Sequence, residues 1–134
     1  MKLFLDACSI IYLLESNQKQ GQETRLLVTQ ALQNKTQLVV SRLSCLECRV
    51  LPLKDKNTDL LESYNRFFHL SSVQIIELNA DVINMATDLR ANYSQSLRTP
   101  DALQIACALS TNADQFLTGD KKLSVIEEIE VIIV

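Results

Sequence analysis

The sequence predicts an α/β sandwich built around a mainly parallel sheet. Three observations lead there. Short β-rich segments alternate with longer segments of helical apolar spacing along the whole chain, the pattern of strands joined by helical crossovers. The first segment, residues 2–6, is apolar on both faces until its final acid, as expected of a strand buried in a parallel sheet. Gly and Pro occur only twice each, too few for an all-β fold made of tight turns.

The elements follow in order. Residues 2–6 form the first strand, and residues 9–15 continue with apolar positions at helical spacing. Residues 23–32 repeat that spacing through Leu26, Leu27, Val28, Ala31 and Leu32, and residues 37–41 are the second strand. Residues 42–51 read as a helix stopped by Pro52, since proline has no N–H and its ring collides with the preceding turn. A polar loop at 54–57 leads to a helix over 58–70, and 73–78 is β-rich. Asn79 is placed to cap a helix from Ala80 to about Tyr93, with Asp81 in the first turn, where the helix dipole favours an acid. Thr99-Pro100 predicts another helix, with Thr99 as N-cap and Pro100 at the first helical position. Residues 115–118 form a short strand, 119–124 a turn and 130–134 the last strand. No internal repeat or low-complexity tract interrupts this order, and 134 residues suit a single domain, 1–134.

Composition excludes several classes. Hydrophobic residues at 47% and charged residues at 22% match a soluble globular protein rather than a disordered or fibrous one. The apolar start is broken by Asp6 and is too short for a secretory signal. No stretch approaches the roughly 18 apolar residues of a membrane span, so no membrane role and a cytoplasmic location are expected. Cys45 and Cys48 have zinc-like spacing, but no second Cys pair accompanies them and His69 is the only histidine, so packed, reduced thiols are expected. A formal net charge of −3 argues against binding nucleic acid by a simple coat of cations.

Four acids stand out. Ligands of open α/β sheets gather outside the carboxyl ends of the strands, and Asp6 ends the first strand while Asp120 lies just past another. Asp101 falls in the first turn of the helix begun by Thr99-Pro100, and Glu47 follows the strand ending at Ser41. An acid closing an apolar strand requires a cation or a hydrogen-bond donor, because burying an unpaired carboxylate is costly. Each of the others has a structural alternative. Ser44 to Glu47 has capping-box spacing, Asp101 could serve only the helix dipole, and Asp120 could be only a turn residue after Gly119.

The segments carrying these acids resemble the PIN-domain family. Leu3-Phe-Leu-Asp6-Ala-Cys-Ser-Ile-Ile-Tyr12 is similar to its opening strand and first acidic motif, and Ser41-Arg-Leu-Ser-Cys-Leu-Glu47 to its Ser-to-Glu motif. Thr99-Pro-Asp101-Ala-Leu-Gln-Ile-Ala106 resembles the family's most specific helix, and Phe116-Leu-Thr118-Gly-Asp120-Lys-Lys-Leu123 its final strand and acid. The resemblance implies a three-layer sandwich with Asp6, Glu47, Asp101 and Asp120 as ligands of Mg²⁺ or Mn²⁺, supported by Ser41 and Thr118. It further implies an endoribonuclease of the VapC toxin type, with RNA as substrate, an antitoxin protein as partner and a homodimer as assembly. A non-catalytic interaction module, or a nuclease using the same site on DNA, stays open beside it. Family members often carry Ser, Thr or Asn two residues after the first acid, where Cys8 stands here, leaving that contact open.

The chemistry suits the residues. Mg²⁺ is held by a few carboxylates and keeps several waters, and a bound cation can acidify a water, orient a phosphate and offset charge on the leaving oxygen. Asp6, Asp101 and Asp120 are assigned to the metal directly or through water, and Glu47 to the metal or to positioning the attacking water. Arg42, Arg49, Arg98, Lys121 and Lys122 flank the motifs and are candidates for backbone phosphates. Scattered aromatics offer no base-stacking platform. Leu60, Leu61 and Tyr64 could belong to a dimer face or to the core.

Overall fold

The computed structural model describes residues 1–134. Five strands, β1 (Lys2–Leu5), β2 (Gln37–Ser41), β3 (Val73–Ile76), β4 (Gln115–Thr118) and β5 (Glu130–Ile133), form one sheet in the order β3-β2-β1-β4-β5. Every pairing is parallel. Six helices cover the sheet: α1 (Ala7–Glu15), α2 (Lys19–Gln33), α3 (Arg42–Lys54), α4 (Thr58–Phe68), α5 (Ala80–Asn92) and α6 (Thr99–Ser110). A 3₁₀ turn, Lys121–Val125, joins β4 to β5.

Strand side chains alternate between two cores. Phe4, Val39 and Phe116 pack with Val82, Ala86, Ala102 and Ile105 of α5 and α6. Leu3, Leu5, Leu38, Val40 and Leu117 pack on the other side with Ile10, Cys45, Cys48, Tyr64 and Phe67 of α1, α3 and α4. Both faces are covered, so the strands are apolar throughout, as parallel strands must be. Phe4 and Phe116 stack across the β1–β4 pair with centroids 5.2 Å apart. Each such fully buried side chain contributes about 1.5–3 kcal/mol.

The chain path explains where a site can form. From β1 the chain winds outward through β2 to β3, then returns over the sheet by way of α5 and α6 to β4 on the other side of β1. That reversal leaves a crevice beyond the carboxyl ends of β1 and β4, the place where open α/β sheets bind ligands. The loops leaving those two strands carry Asp6 and Asp120.

Several boundaries differ from the sequence reading. Helix α1 starts at Ala7 because Asp6 caps it, accepting from Ser9 N at 2.9 Å. Helix α2 starts at Lys19, its polar first turn being invisible to apolar spacing. Pro52 does not stop α3, which runs on to Lys54. Pro52 loses its own N–H bond and crowds the carbonyl one turn back, but the helix ends within a turn of it, where Leu51 O accepts from Asp55 N and Pro52 O from Asn57 N, both at 2.9 Å. The N-cap of α6 is Arg98 rather than Thr99, so Pro100 sits one position further in. No helix is long and apolar enough to cross a membrane.

Candidate active site

Asp6 leaves β1 into the crevice. Its Oδ1 accepts from Ser9 N at 2.9 Å, and its Oδ2 accepts from Thr118 Oγ1 at 2.5 Å. Thr118 ends β4, and its hydroxyl oxygen also accepts from Asp120 N at 3.0 Å, so one side chain links the two loops. Asp6 is 7% exposed. Burial pushes its pKa up to about 6, against the hydrogen bonds from Thr118 and Ser9, and the charge of Asp101 adds to the rise. A carboxylate deprived of water in this way gains more from a cation than an exposed one does.

Glu47 is brought in by α3 and held from α6. Ser41 caps α3, its Oγ accepting from Ser44 N at 3.2 Å and donating to Gln104 Oε1 at 2.8 Å. Gln104 Nε2 donates to Ser44 Oγ at 3.0 Å and to Glu47 Oε1 at 3.1 Å. The capping-box alternative for Ser44 and Glu47 is therefore not what forms. The cap is Ser41, and the side chains of Ser44 and Glu47 meet Gln104 on the neighbouring helix.

The structural alternatives for the other two acids are both realised. Asp101, in the first turn of α6, accepts from Arg98 N at 3.3 Å and lies 3.7 Å from Arg98 Nε. Asp120 caps the 3₁₀ turn, accepting from Lys122 N at 3.0 Å. Neither bond removes the acid from the crevice. Asp6, Glu47, Asp101 and Asp120 all line one cavity of about 420 Å³, with Cys8, Arg98 and Gln104 in its wall. A second cavity of about 440 Å³ shares Arg98, Asp101 and Asp120 with the first and continues past Arg90, Ser96 and Lys122.

The donors around the first cavity suit a hard cation. They are carboxylate oxygens without an imidazole, and the volume leaves room for retained waters. No three His, Cys, Asp or Glu side chains stand close enough to grip one ion by themselves. Mg²⁺ needs less than that, being held through one or two carboxylates with water completing its octahedron. Zinc sites are built mainly on His and Cys, and no imidazole lines this cavity. Cys8, Cys45, Cys48 and Cys107 are all free. Burial raises the pKa of each thiol, that of Cys107 to about 12.

Cys8 is half-buried against Gly119. A Cβ at residue 119 would fall 2.5 Å from Tyr12 Cε2 and 2.8 Å from Cys8 Sγ, so a larger residue there would have to push those two side chains aside. Cys8 thus contributes a neutral thiol to the cavity wall. Of the five cations singled out in the sequence, Arg98 and Lys122 line the paired cavities. Arg42 is paired with Glu77, at 2.7 Å from its Oε2, and Arg49 donates to Cys45 O at 2.6 Å and to Asn65 Oδ1 at 3.2 Å. Lys121 lines neither cavity.

Two residues escaped the sequence reading. Arg90 lines the second cavity and donates to Leu97 O at 2.5 Å, which ties α5 to the turn before α6. Nothing near Arg90 in the sequence marks it. Gln104 had a signal, since it is the polar residue three positions after Asp101 in an otherwise apolar helical segment and shares Asp101's face.

The PIN domain family model matches residues 3–129, and the chain belongs to that family. Its fold is similar to that of VapBC2 from Rickettsia felis, solved bound to a DNA fragment from the promoter, with a TM-score of 0.80 and 19% identity over 100% of this chain and 99% of that one. A toxin–antitoxin complex from Klebsiella pneumoniae matches with a TM-score of 0.72 and 23% identity, covering 97% of this chain and 95% of the other. VapC20 from Mycobacterium tuberculosis, described as a sarcin-ricin loop cleaving toxin, matches with a TM-score of 0.74 and 13% identity over 96% and 98% of the two chains. Comparison with curated protein sequences finds no match. At these identities the likeness is one of fold.

Proposed function

We propose that this protein is a Mg²⁺- or Mn²⁺-dependent endoribonuclease that hydrolyses RNA phosphodiester bonds and acts as the toxin of a toxin–antitoxin pair. The observation that carries the reading is the convergence of Asp6, Glu47, Asp101 and Asp120, from four separate segments, on one cavity at the sheet's reversal point. When bound there, a divalent cation supplies an acidified water and offsets charge on phosphate oxygens.

The chain's own residues account for the rest. Asp6, Asp101 and Asp120 hold the cation directly or through water, and Glu47 binds it or positions the attacking water. Thr118 Oγ1 and Ser9 N favour the ionised form of Asp6 and fix both its oxygens. Arg98 and Lys122, together with Arg90, line the continuation of the groove, where such cations would contact phosphates flanking the scissile one.

A protein partner fits the surface as well as the fold. Exposed Leu46, Val50 and Leu53 of α3, with Leu61 of α4, line an apolar groove of about 470 Å³. Such a patch suits an antitoxin or a second copy of this chain. Leu61 thus belongs to that surface, whereas Tyr64 is fully buried and Leu60 packs against the core. Fold neighbours solved as toxin–antitoxin complexes support the antitoxin.

Matched RNA and DNA strands, incubated side by side with the purified protein and Mg²⁺ or Mn²⁺, test the reading. RNA alone should be cut. Equal cleavage of DNA would make the protein a general nuclease, and cleavage of neither would point to a non-catalytic module.

A further inference from the structure

Gln104 is 4% exposed, yet all of its amide hydrogen-bonding capacity toward the site is used. Ser41 Oγ accepts from Ser44 N at 3.2 Å and donates its proton to Gln104 Oε1 at 2.8 Å, the shorter of its two side-chain contacts. The amide's two N–H groups then point at Ser44 Oγ, 3.0 Å away, and Glu47 Oε1, 3.1 Å away. Turning the amide over would set its oxygen against the Glu47 carboxylate, a repulsion between two acceptors. The cap of α3 therefore determines the orientation of the amide, and the amide determines that of Glu47.

From this chain of bonds we infer that Gln104 is a positioning residue, which fixes the Glu47 carboxylate in the orientation that binds the divalent cation. The inference rests on the metal-dependent reading above and adds to it a specific residue of α6. Glu47 is only partly buried, and a glutamate side chain has three rotatable bonds to immobilise. The donor on Oε1 restrains that freedom and makes no bond to Oε2. Outer partners of this kind typically alter metal affinity about 10- to 100-fold. The same amide joins α3, which carries Glu47, to α6, which carries Asp101.

The test is Mn²⁺ binding by calorimetry to the parent, Gln104→Met, Glu47→Ala and the double variant, with a chelator-treated melting curve of each. Gln104→Met should bind Mn²⁺ about 10-fold more weakly, Glu47→Ala should also weaken binding, and the double variant should bind no more weakly than Glu47→Ala. A purely structural Gln104 would lower the melting temperature and leave Mn²⁺ affinity within twofold of the parent, which overturns the inference while the metal reading stands. Unchanged affinity in Glu47→Ala would overturn it too. A parent that binds no Mn²⁺ would bring down the metal reading and this inference with it. Because Gln104→Met strands two buried hydroxyls and could fail to fold, the parent offers a second route. The side-chain amide resonances of Gln104 should shift on Mg²⁺ addition and again in Glu47→Ala, and resonances indifferent to both would overturn the inference.

Discussion

Thr118 and Asp6, 112 residues apart, share a hydrogen bond of 2.5 Å across the β1–β4 pair. The bond is possible because β4 returns beside β1, with Phe4 opposite Phe116 and Leu5 opposite Leu117. The next residue of each strand then meets at the strands' carboxyl ends. One hydroxyl thereby serves the strand pair, the loop of Asp120 and the most buried acid of the site.

Thr118→Val keeps the shape and removes the donor. Hydrogen bonds to charged groups are worth roughly 1.5–3 kcal/mol, and a partner left unsatisfied in a buried setting costs a similar amount. The variant should lose about 2 kcal/mol at pH 8 in chelator, measured by urea denaturation. A loss below about 0.5 kcal/mol, the size of an ordinary surface change, would mean that the bond contributes little.

Asp101→Asn should lose nearly all cleavage and still fold at least as well as the parent in chelator. Asp101 raises the pKa of Asp6 through its charge, so removing that charge relieves repulsion, while the amide oxygen can still accept from Arg98 N. Mn²⁺ should raise the melting temperature of the parent more than that of the variant. A variant melting far below the parent in chelator would make Asp101 a structural cap, and one cleaving normally would remove it from the metal site.

Asp6 gives a pH dependence of definite sign. Its folded pKa of about 6 lies above the ordinary value of 3.8, so the folded protein binds this proton more tightly than the unfolded chain. The contribution to stability is therefore full below the ordinary value and is lost as pH rises toward 6. The loss is on the order of 3 kcal/mol. In chelator, Asp6→Asn should gain stability relative to the parent between pH 4 and 7. A constant difference across that range would refute the assignment.

The sequence made the strands legible because β1, β2 and β4 are short, apolar on both faces and bounded by polar residues. Position marked Asp6 at a strand end, but Glu47, Asp101 and Asp120 each had a structural alternative, and the four became candidates together through the PIN-domain resemblance of the segments that carry them. What it concealed was anything decided by packing between distant elements. Ser44 and Glu47 have the spacing of a capping box, but Gln104, 60 and 57 residues away, takes both. Arg42 looked available until Glu77, 35 residues on, came alongside it. Pro52 looked like a stop because a local rule cannot tell the middle of a helix from its last turn.

Cys45 and Cys48 lie among Leu5, Ile10 and Tyr64 in the core, and Cys48 Sγ donates to Ala7 O at 3.8 Å. Replacing both by Ala should cost about 1–3 kcal/mol in lost packing and leave cleavage intact at matched folded fraction. In the native protein Cys8, the half-buried thiol, should be alkylated before the other three. Loss of cleavage together with bound metal would restore a thiol site.

The central claim is that four carboxylates work through a divalent cation, and the most direct measurement is cleavage of an RNA substrate by the purified protein across a titration of chelator. The account predicts cleavage with Mg²⁺ or Mn²⁺, its complete loss in excess chelator, recovery when either ion is restored, and little recovery with Zn²⁺, which favours nitrogen and sulfur ligands. Undiminished cleavage in excess chelator would contradict it.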